Sequence, residues 1–341
     1  MGGFCSCGET KWFYAIKYDT ICVMKRVLVL LICLGVVPAF AGEKDDAINN
    51  AKQVFEAVRI TCSGISDEIR RVANISKANT AIAATGTVAA GGALVAGIKK
   101  SQEEEEIDQL VQEICSAGGC TPEGIESMSN EQFLESVIWR MAKISELQEK
   151  LDKSKKLGNW RTGLLAGTVG TNLASTILSG LNIDQSELIQ HIVACNQAME
   201  QIPKAEAAMR SAGVGAMHNS IATQLSNTRT WCSPININDV EKIERRMKGV
   251  MGTSVAGTAV GAIGVGVSAA ANSDKYTDIT SRVMLDEKEA KKGRALNTTA
   301  NIMAGTNVAV GAAEIGLNIS LITLTKKLIN QAEYCEEVLN Q

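Results

Sequence analysis

The chain has 341 residues, with 34 Lys plus Arg against 37 Asp plus Glu and a formal charge of −3, a balance that argues against a basic nucleic-acid binder. Hydrophobic residues make up 45% and aromatics only 4%, with four prolines against 30 glycines. These proportions exclude a wholly disordered chain and favour long uninterrupted helices over a sandwich of short strands.

Residues 1–23 read as a leader extension or a misassigned start, because Met24 stands where a secretory signal would begin. Lys25 and Arg26 precede an apolar run from Val27 to Val37, and Pro38 with the Ala39-Phe40-Ala41 triplet follows it. That is the three-part pattern of an export signal over 24–41, cleaved after Ala41, and its apolar run is too short for a comfortable membrane span. Six of the 13 aromatics lie in this leader, which leaves little with which to stack on bases or sugar rings. No nucleic-acid partner is expected.

Six cysteines follow the leader: Cys62, Cys115, Cys120, Cys195, Cys232 and Cys335. An even set in an exported chain reads as disulfides. No zinc-type spacing occurs, so no metal or cofactor is expected.

Four stretches of about twenty residues are nearly free of charge, and each holds a Gly-Thr step at Gly86, Gly167, Gly257 or Gly305. Cys62 lies 24 residues before Gly86 and Cys232 lies 25 before Gly257; Cys195 follows Gly167 by 28 and Cys335 follows Gly305 by 30. The simplest account is a duplicated unit. The expected fold is all-α, two tandem copies of a long antiparallel helical hairpin over 62–195 and 232–335, joined by a connector at 196–231. Folding each copy with its Gly-Thr steps opposite one another brings its first and last cysteines together. The predicted bridges are therefore Cys62 to Cys195 and Cys232 to Cys335, with Cys115 and Cys120 closing a small loop at the tip of copy one.

Helix signals support this. Ser129 with Gln132 and Asn238 with Glu241 have capping-box spacing, and Thr121-Pro122 suits a helix start. Leu134, Val137, Met141, Ile144 and Leu151 keep heptad spacing, flanked by Glu-Lys and Asp-Lys pairs at i, i+4 from Glu146 to Lys156, which predicts a coiled-coil-like seam. The Glu103 to Glu106 run reads as a solvated helix face. In the second helix of copy one, Gly163, Gly167, Thr171, Ser175 and Ser179 recur every four residues, opposite a bulky stripe from Leu165 to Leu181. Gly86, Gly163, Gly167, Gly257, Gly261 and Gly305 are thus the expected helix-packing positions, since small faces let backbones approach.

Length would let the four uncharged stretches span a membrane. Their Thr, Ser, Asn and Gly content argues the other way, and the 15 Lys plus Arg on each side of a four-span layout give no orientation by the positive-inside rule. A soluble or peripheral bundle is the favoured expectation and membrane-inserted hairpins the alternative. Catalytic patterns are weak. Gly92 to Lys99 lacks the Gly-Lys step of a phosphate loop, Gly264-Gly266-Ala269 lies inside a Gly-rich helix, and neither His191 nor His218 has a carboxylate at useful spacing.

The Lys155-Lys156-Leu157-Gly158-Asn159-Trp160-Arg161-Thr162-Gly163 segment, the Gly-Thr helices and the cysteine-bounded halves resemble a group of exported bacterial proteins of Gly/Ala-rich helical type with no assigned activity. The resemblance covers most of the chain after the leader and carries over no activity or binding residues. The expectation is a non-enzymatic structural or interaction protein of the periplasm or cell envelope, self-associating or binding an envelope protein. The alternative is a membrane-inserting Gly-zipper protein forming an oligomer or pore.

Overall fold

In a computed structural model of the chain the described residues are 42–116, 130–180, 186–214, 220–283, 285 and 287–340, and they form helices without a strand. In chain order these are α1 (Glu43–Cys62), α2 (Ile65–Ile114), α3 (Asn130–Gly180), α4 (Ser186–Met199), α5 (Ile202–Ser211), α6 (Ser220–Trp231), α7 (Ile237–Ala271), α8 (Asp274–Thr277), α9 (Ile279–Val283) and α10 (Glu287–Leu339). The all-α expectation holds.

Four long helices form a ring in which α2 packs along α3 and α10, and α7 packs along the same two. Neighbours run antiparallel. Asn79 meets Ser179 and Lys100 meets Ser154 between α2 and α3, while Ser66 meets Glu336 and Ser101 meets Asn297 between α2 and α10. The buried positions recur in alternating steps of three and four. On α3 they are Leu147, Leu151, Ser154, Gly158, Arg161, Leu165, Thr168, Asn172, Ser175 and Ser179; on α10 the same alternation runs from Gly293 to Leu339. This is the spacing of a heptad seam, in which each helix keeps one stripe toward its neighbours.

At one end the short helices α1, α4, α5 and α6 complete a head with an ordinary apolar core. Val58, Ile65, Ile69, Ile192, Ile202, Met209, Leu225, Ile243 and Leu328 all belong to it. Residues 196–231, expected as a connector, thus supply helices and core side chains. α7 starts at the Asn236 side chain, which accepts from the Asn238 amide at 3.0 Å, so the cap lies two residues before the expected Asn238.

Both long-range bridges in the head are formed as predicted: Cys62 to Cys195 and Cys232 to Cys335, spanning 133 and 103 residues. Cys115 is disulfide-bonded, and its expected partner Cys120 lies outside the described residues, as do His218, Ser129 and the Thr121-Pro122 start.

At the far end α2 and α3 continue as a pair around Ile107, Leu110, Ile114, Leu147 and Leu151, with Ile279 and Val283 of α9 against them. The seam expected from Leu134 is only partly realised. Leu134, Met141 and Ile144 are exposed, and Leu147 with Leu151 carry the packing. Leu134 and Met141 lie one position out of the register set by Ile144 and Leu151, a rotation of about 100° away from the partner helix.

The lysines of this stretch also point elsewhere than the i, i+4 rule suggests. Lys150 reaches Glu106, Lys153 reaches Glu103 and Lys143 reaches Glu113 across the helix pair. The Glu103 to Glu106 run is therefore only half a solvated face: Glu105 and Glu106 are exposed, whereas Glu103 and Glu104 are buried. His191, expected without a carboxylate, has its Nδ1 at 3.1 Å from Glu68, a contact between α2 and α4 that no sequence spacing announces.

Loops this long lose on the order of 4 to 5 kcal/mol of unfolded-state entropy when bridged, with measured gains often smaller. Replacing Cys232 and Cys335 together by Ser is expected to lower the unfolding free energy by about 2 to 5 kcal/mol, read by guanidinium titration with Cys62–Cys195 intact. An unchanged midpoint would mean that helix packing alone holds the head.

Candidate membrane-spanning layer

Between the head and the far end, charge disappears from the outer surface of all four long helices at one level. α2 carries none from Ala78 to Ile98, α3 none from Thr162 to Gly180, and α7 none from Gly249 to Ala271; α10 carries only Glu314 from Ala295 to Thr325. The contacts align these stretches. Gly86 faces Thr171, Gly257 faces Asn172 and Val310, and Gly311 faces Thr87. The 21 residues of the α2 stretch rise about 31 Å, close to the roughly 30 Å hydrocarbon thickness of a bilayer. Glu43–Ile114, Ile237–Ala271 and Glu287–Leu339 contain windows long and apolar enough to cross a membrane. Lys77, Lys248 and Lys326 mark the head-side edge, and Lys99, Lys156 and Arg294 the other. Trp160, 69% exposed, sits at that second edge, where amphipathic aromatic rings are enriched at membrane interfaces.

Within the layer the usual polarity is reversed. Val88 is 76% exposed, and Leu173, Ile177, Val255, Ile263, Ile302 and Ile319 also face outward. Inside stand Asn79, Thr168, Asn172, Ser175, Ser179, Ser254, Asn307, Glu314 and Asn318, all buried. The apolar interior there includes a small layer of Ala93, Leu165 and Ala304. Asn79 Nδ2 donates to Ser179 Oγ at 2.9 Å. Deeper in, the hydroxyls of Ser175 and Ser254 converge on Glu314 Oε1, the latter at 2.9 Å.

The far-side edge holds a buried charged cluster. Lys100 Nζ lies 2.9 Å from Glu104 Oε1 and donates to Ser154 Oγ at 3.0 Å. Burial pulls its ammonium below the ordinary lysine value, with Glu104 opposing. The fully buried Arg161 guanidinium donates to Ser268 Oγ at 2.9 Å, to Asn301 Oδ1 at 3.2 Å and to Asn297 Oδ1. Burial brings it down to about 10, against the attraction of Glu104, so the guanidinium remains cationic at neutral pH. Asn297 joins the two groups, because its Nδ2 also donates to Glu104 Oε2 at 3.1 Å.

The six expected packing glycines divide. A Cβ on Gly86 would lie 2.5 Å from Thr171 Oγ1, on Gly257 2.4 Å from Asn172 Nδ2, and on Gly261 2.7 Å from Val169 Cγ2. Around Gly163, Gly167 and Gly305 there is nothing within 4 Å, and Gly163 and Gly167 are exposed. The physical reason is precession. Four residues turn a helix by about 400° rather than 360°, so the stripe from Gly163 to Ser179 drifts by about 160°, outward at its glycines and inward at its serines. The bulky stripe drifts the opposite way, from buried Leu165 to exposed Ile177.

Sequence patterning missed Glu314, Asn318, Arg161 and Lys100 as interior groups. Their common signal is a three-four alternation of Asn, Ser, Gly and Ala, visible only if polar residues are admitted to the seam. The two weak nucleotide-like matches are internal helix: Gly92 faces Leu164, and Gly264 faces Met303 and Leu165. Among the described residues no group of three or more His, Cys, Asp or Glu is placed to hold a metal ion.

No protein-family model matches this chain, and no curated protein or solved structure matches it either.

The close approaches yield a matched pair of variants. Gly257→Leu is expected to destabilise the bundle by about 2 kcal/mol or more, because overpacking displaces Asn172 and Val310. Gly167→Leu, with open space around it, is expected to change the unfolding free energy by no more than about 0.5 kcal/mol beyond helix propensity. Thermal melts of the two variants in one detergent check this ordering.

Proposed function

We propose that this chain is a non-enzymatic, exported helical protein of the bacterial cell envelope that inserts its four-helix layer into a membrane and self-associates there. The observation that carries this reading is the reversed polarity of the layer, with aliphatic side chains outward and amides, hydroxyls and a carboxylate inward. In water such a bundle would expose its apolar surface and bury its polar groups for hydrogen bonds worth a net of only about 0.5 to 1.5 kcal/mol each. In lipid the same arrangement is favourable on both faces, because buried polar side chains bond across helices and aliphatic ones meet acyl chains. The head, with its apolar core, fits an aqueous compartment. This favours the membrane alternative over the soluble bundle that composition suggests.

The pairing of α2 with α3 and of α7 with α10, each beside a disulfide of the head, supports descent of the two hairpins, 62–195 and 232–335, from one duplicated unit. Gly163 and Gly167, exposed on the outer face of α3, support self-association, since a small-xxx-small face in lipid lets a second helix approach closely.

The cysteines bear on location. The head carries two disulfides and the far end carries disulfide-bonded Cys115, whereas thiols facing a cytosol stay reduced. Insertion from the exported side into a membrane with no cytosolic face accommodates all of them.

Alkaline carbonate extraction is the primary test. The processed protein is expected to stay in the membrane pellet, and release into the supernatant would sink the proposal. Gly167→Leu is expected to remain in the pellet with an unchanged melt yet lose chemical cross-linking to a second copy and any leakage of loaded liposomes. Denaturation without reductant in the presence of a maleimide-polyethylene glycol is expected to leave all six cysteines unmodified. A gel shift abolished only when Cys115 and Cys120 are both replaced by Ser would place the far end in the cytosol instead.

A further inference from the structure

The interior of the layer has one group that its surroundings leave incomplete. Glu314 is wholly buried on α10, facing α3 and α7. Its Oε1 accepts from Ser175 and Ser254, but its Oε2 has no partner in the protein. No lysine, arginine or histidine bridges it among the described residues. Asn318, four residues on and on the same helix face, is also wholly buried. Its Nδ2 donates to the Glu314 carbonyl at 3.1 Å, and its Oδ1 has no partner. One layer toward the head, Asn79 spends its Nδ2 on Ser179 and likewise leaves its buried Oδ1 unmatched. Every unmatched atom at this level is therefore an oxygen, and one of them belongs to a carboxylate.

A buried carboxylate without a positive partner is among the most unfavourable groups a protein interior holds. We infer that Glu314 Oε2 and Asn318 Oδ1, with the Ser175 and Ser254 hydroxyls that hold the carboxyl group, form a site for a dehydrated monovalent cation, probed below with sodium. Oxygen-only ligands select hard cations over transition metals. A single carboxylate balances one positive charge, whereas calcium takes six to eight oxygen ligands with several carboxylates among them. The two hydroxyls hold Oε1 in place, so that Oε2 is presented to the ion without reorganisation. The site lies inside the helix ring and so does not depend on the membrane reading: the same oxygens are buried whether the outer surface meets lipid, detergent or water.

The test uses the full processed chain, disulfides intact, in non-ionic detergent, with NaCl exchanged for choline chloride at constant ionic strength. Thermal unfolding followed by circular dichroism is expected to shift upward with the logarithm of sodium concentration, as linkage requires for an ion that binds only the folded state. In Glu314→Gln the shift is expected to vanish, with one melting temperature in both salts. Ser254→Ala keeps the carboxylate but removes a supporting hydroxyl, and it is expected to need several-fold more sodium for the same shift. It decides the matter even if the glutamine variant folds poorly. Equal melting of the wild type in sodium and choline overturns the inference, including the case where stability follows pH alone and a proton neutralises the group. Persistence of the full sodium shift in either variant overturns it as well.

Discussion

A heptad seam filled with small and polar residues, where aliphatic ones would normally sit, is the constraint from which the rest of this structure follows. Glycine and alanine at Gly86, Ala90, Ala93, Gly257, Gly261 and Gly264 bring the four helices close together. That closeness lets short side chains reach across helices, Ser254 to Ser175 and Asn79 to Ser179. Polar residues at seam positions also favour one register, because a slip would break the cross-helix bonds of Asn79 with Ser179 and of Ser175 and Ser254 with Glu314. The displaced aliphatic residues have nowhere to go but outward, so a seam of this composition implies an apolar exterior.

The head and the far end use different forces for the same helices. In the head, Ile65, Ile69, Ile243 and Leu328 continue the seam as ordinary hydrophobic core; one disulfide joins the short helices α1 and α4, and the other ties the end of α6 to the long α10. Past the layer, Glu103, Glu104 and Glu106 of α2 meet Lys153, Lys100 and Lys150 in ion pairs that range from buried to half-exposed. The exposed ones contribute little to stability. Their greater effect is on orientation, since they hold α2 against α3 where the four-helix ring has become a pair. The Arg161 and Lys100 cluster stands at the junction, joined to Asn297 through charge-assisted hydrogen bonds.

Two kinds of interior polarity therefore occupy the bundle at different depths. At the far-side edge the buried charges are of both signs, with Lys100 and Arg161 beside Glu103 and Glu104. Toward the head stand the lone Glu314 carboxyl group and the neutral amide oxygens of Asn318 and Asn79, each with an oxygen left unpartnered. The seam is therefore directional, with paired charges at one edge and unpartnered oxygens toward the other.

The amino-acid sequence by itself determined the helical class, the near absence of aromatic chemistry, and both long-range disulfides. These follow from composition and from distances counted along regular helices, which need no knowledge of rotation about the helix axis. Rotation is what only the tertiary structure decided. Gly163 and Gly167 share a four-residue spacing with Ser175 and Ser179, yet face outward, because a spacing of four is not the helical period and its error accumulates. The carboxylates of Glu68, Glu104 and Glu314 found partners 123, 193 and 139 residues away, respectively, in His191, Asn297 and Ser175, and no local pattern encodes such pairs. Whether the uncharged stretches were internal faces or outer surface could not follow from their composition, since alanine, serine and threonine suit either. It followed from which residues the ring turned inward, and those were the polar and small ones, with most of the bulky aliphatic ones left outside.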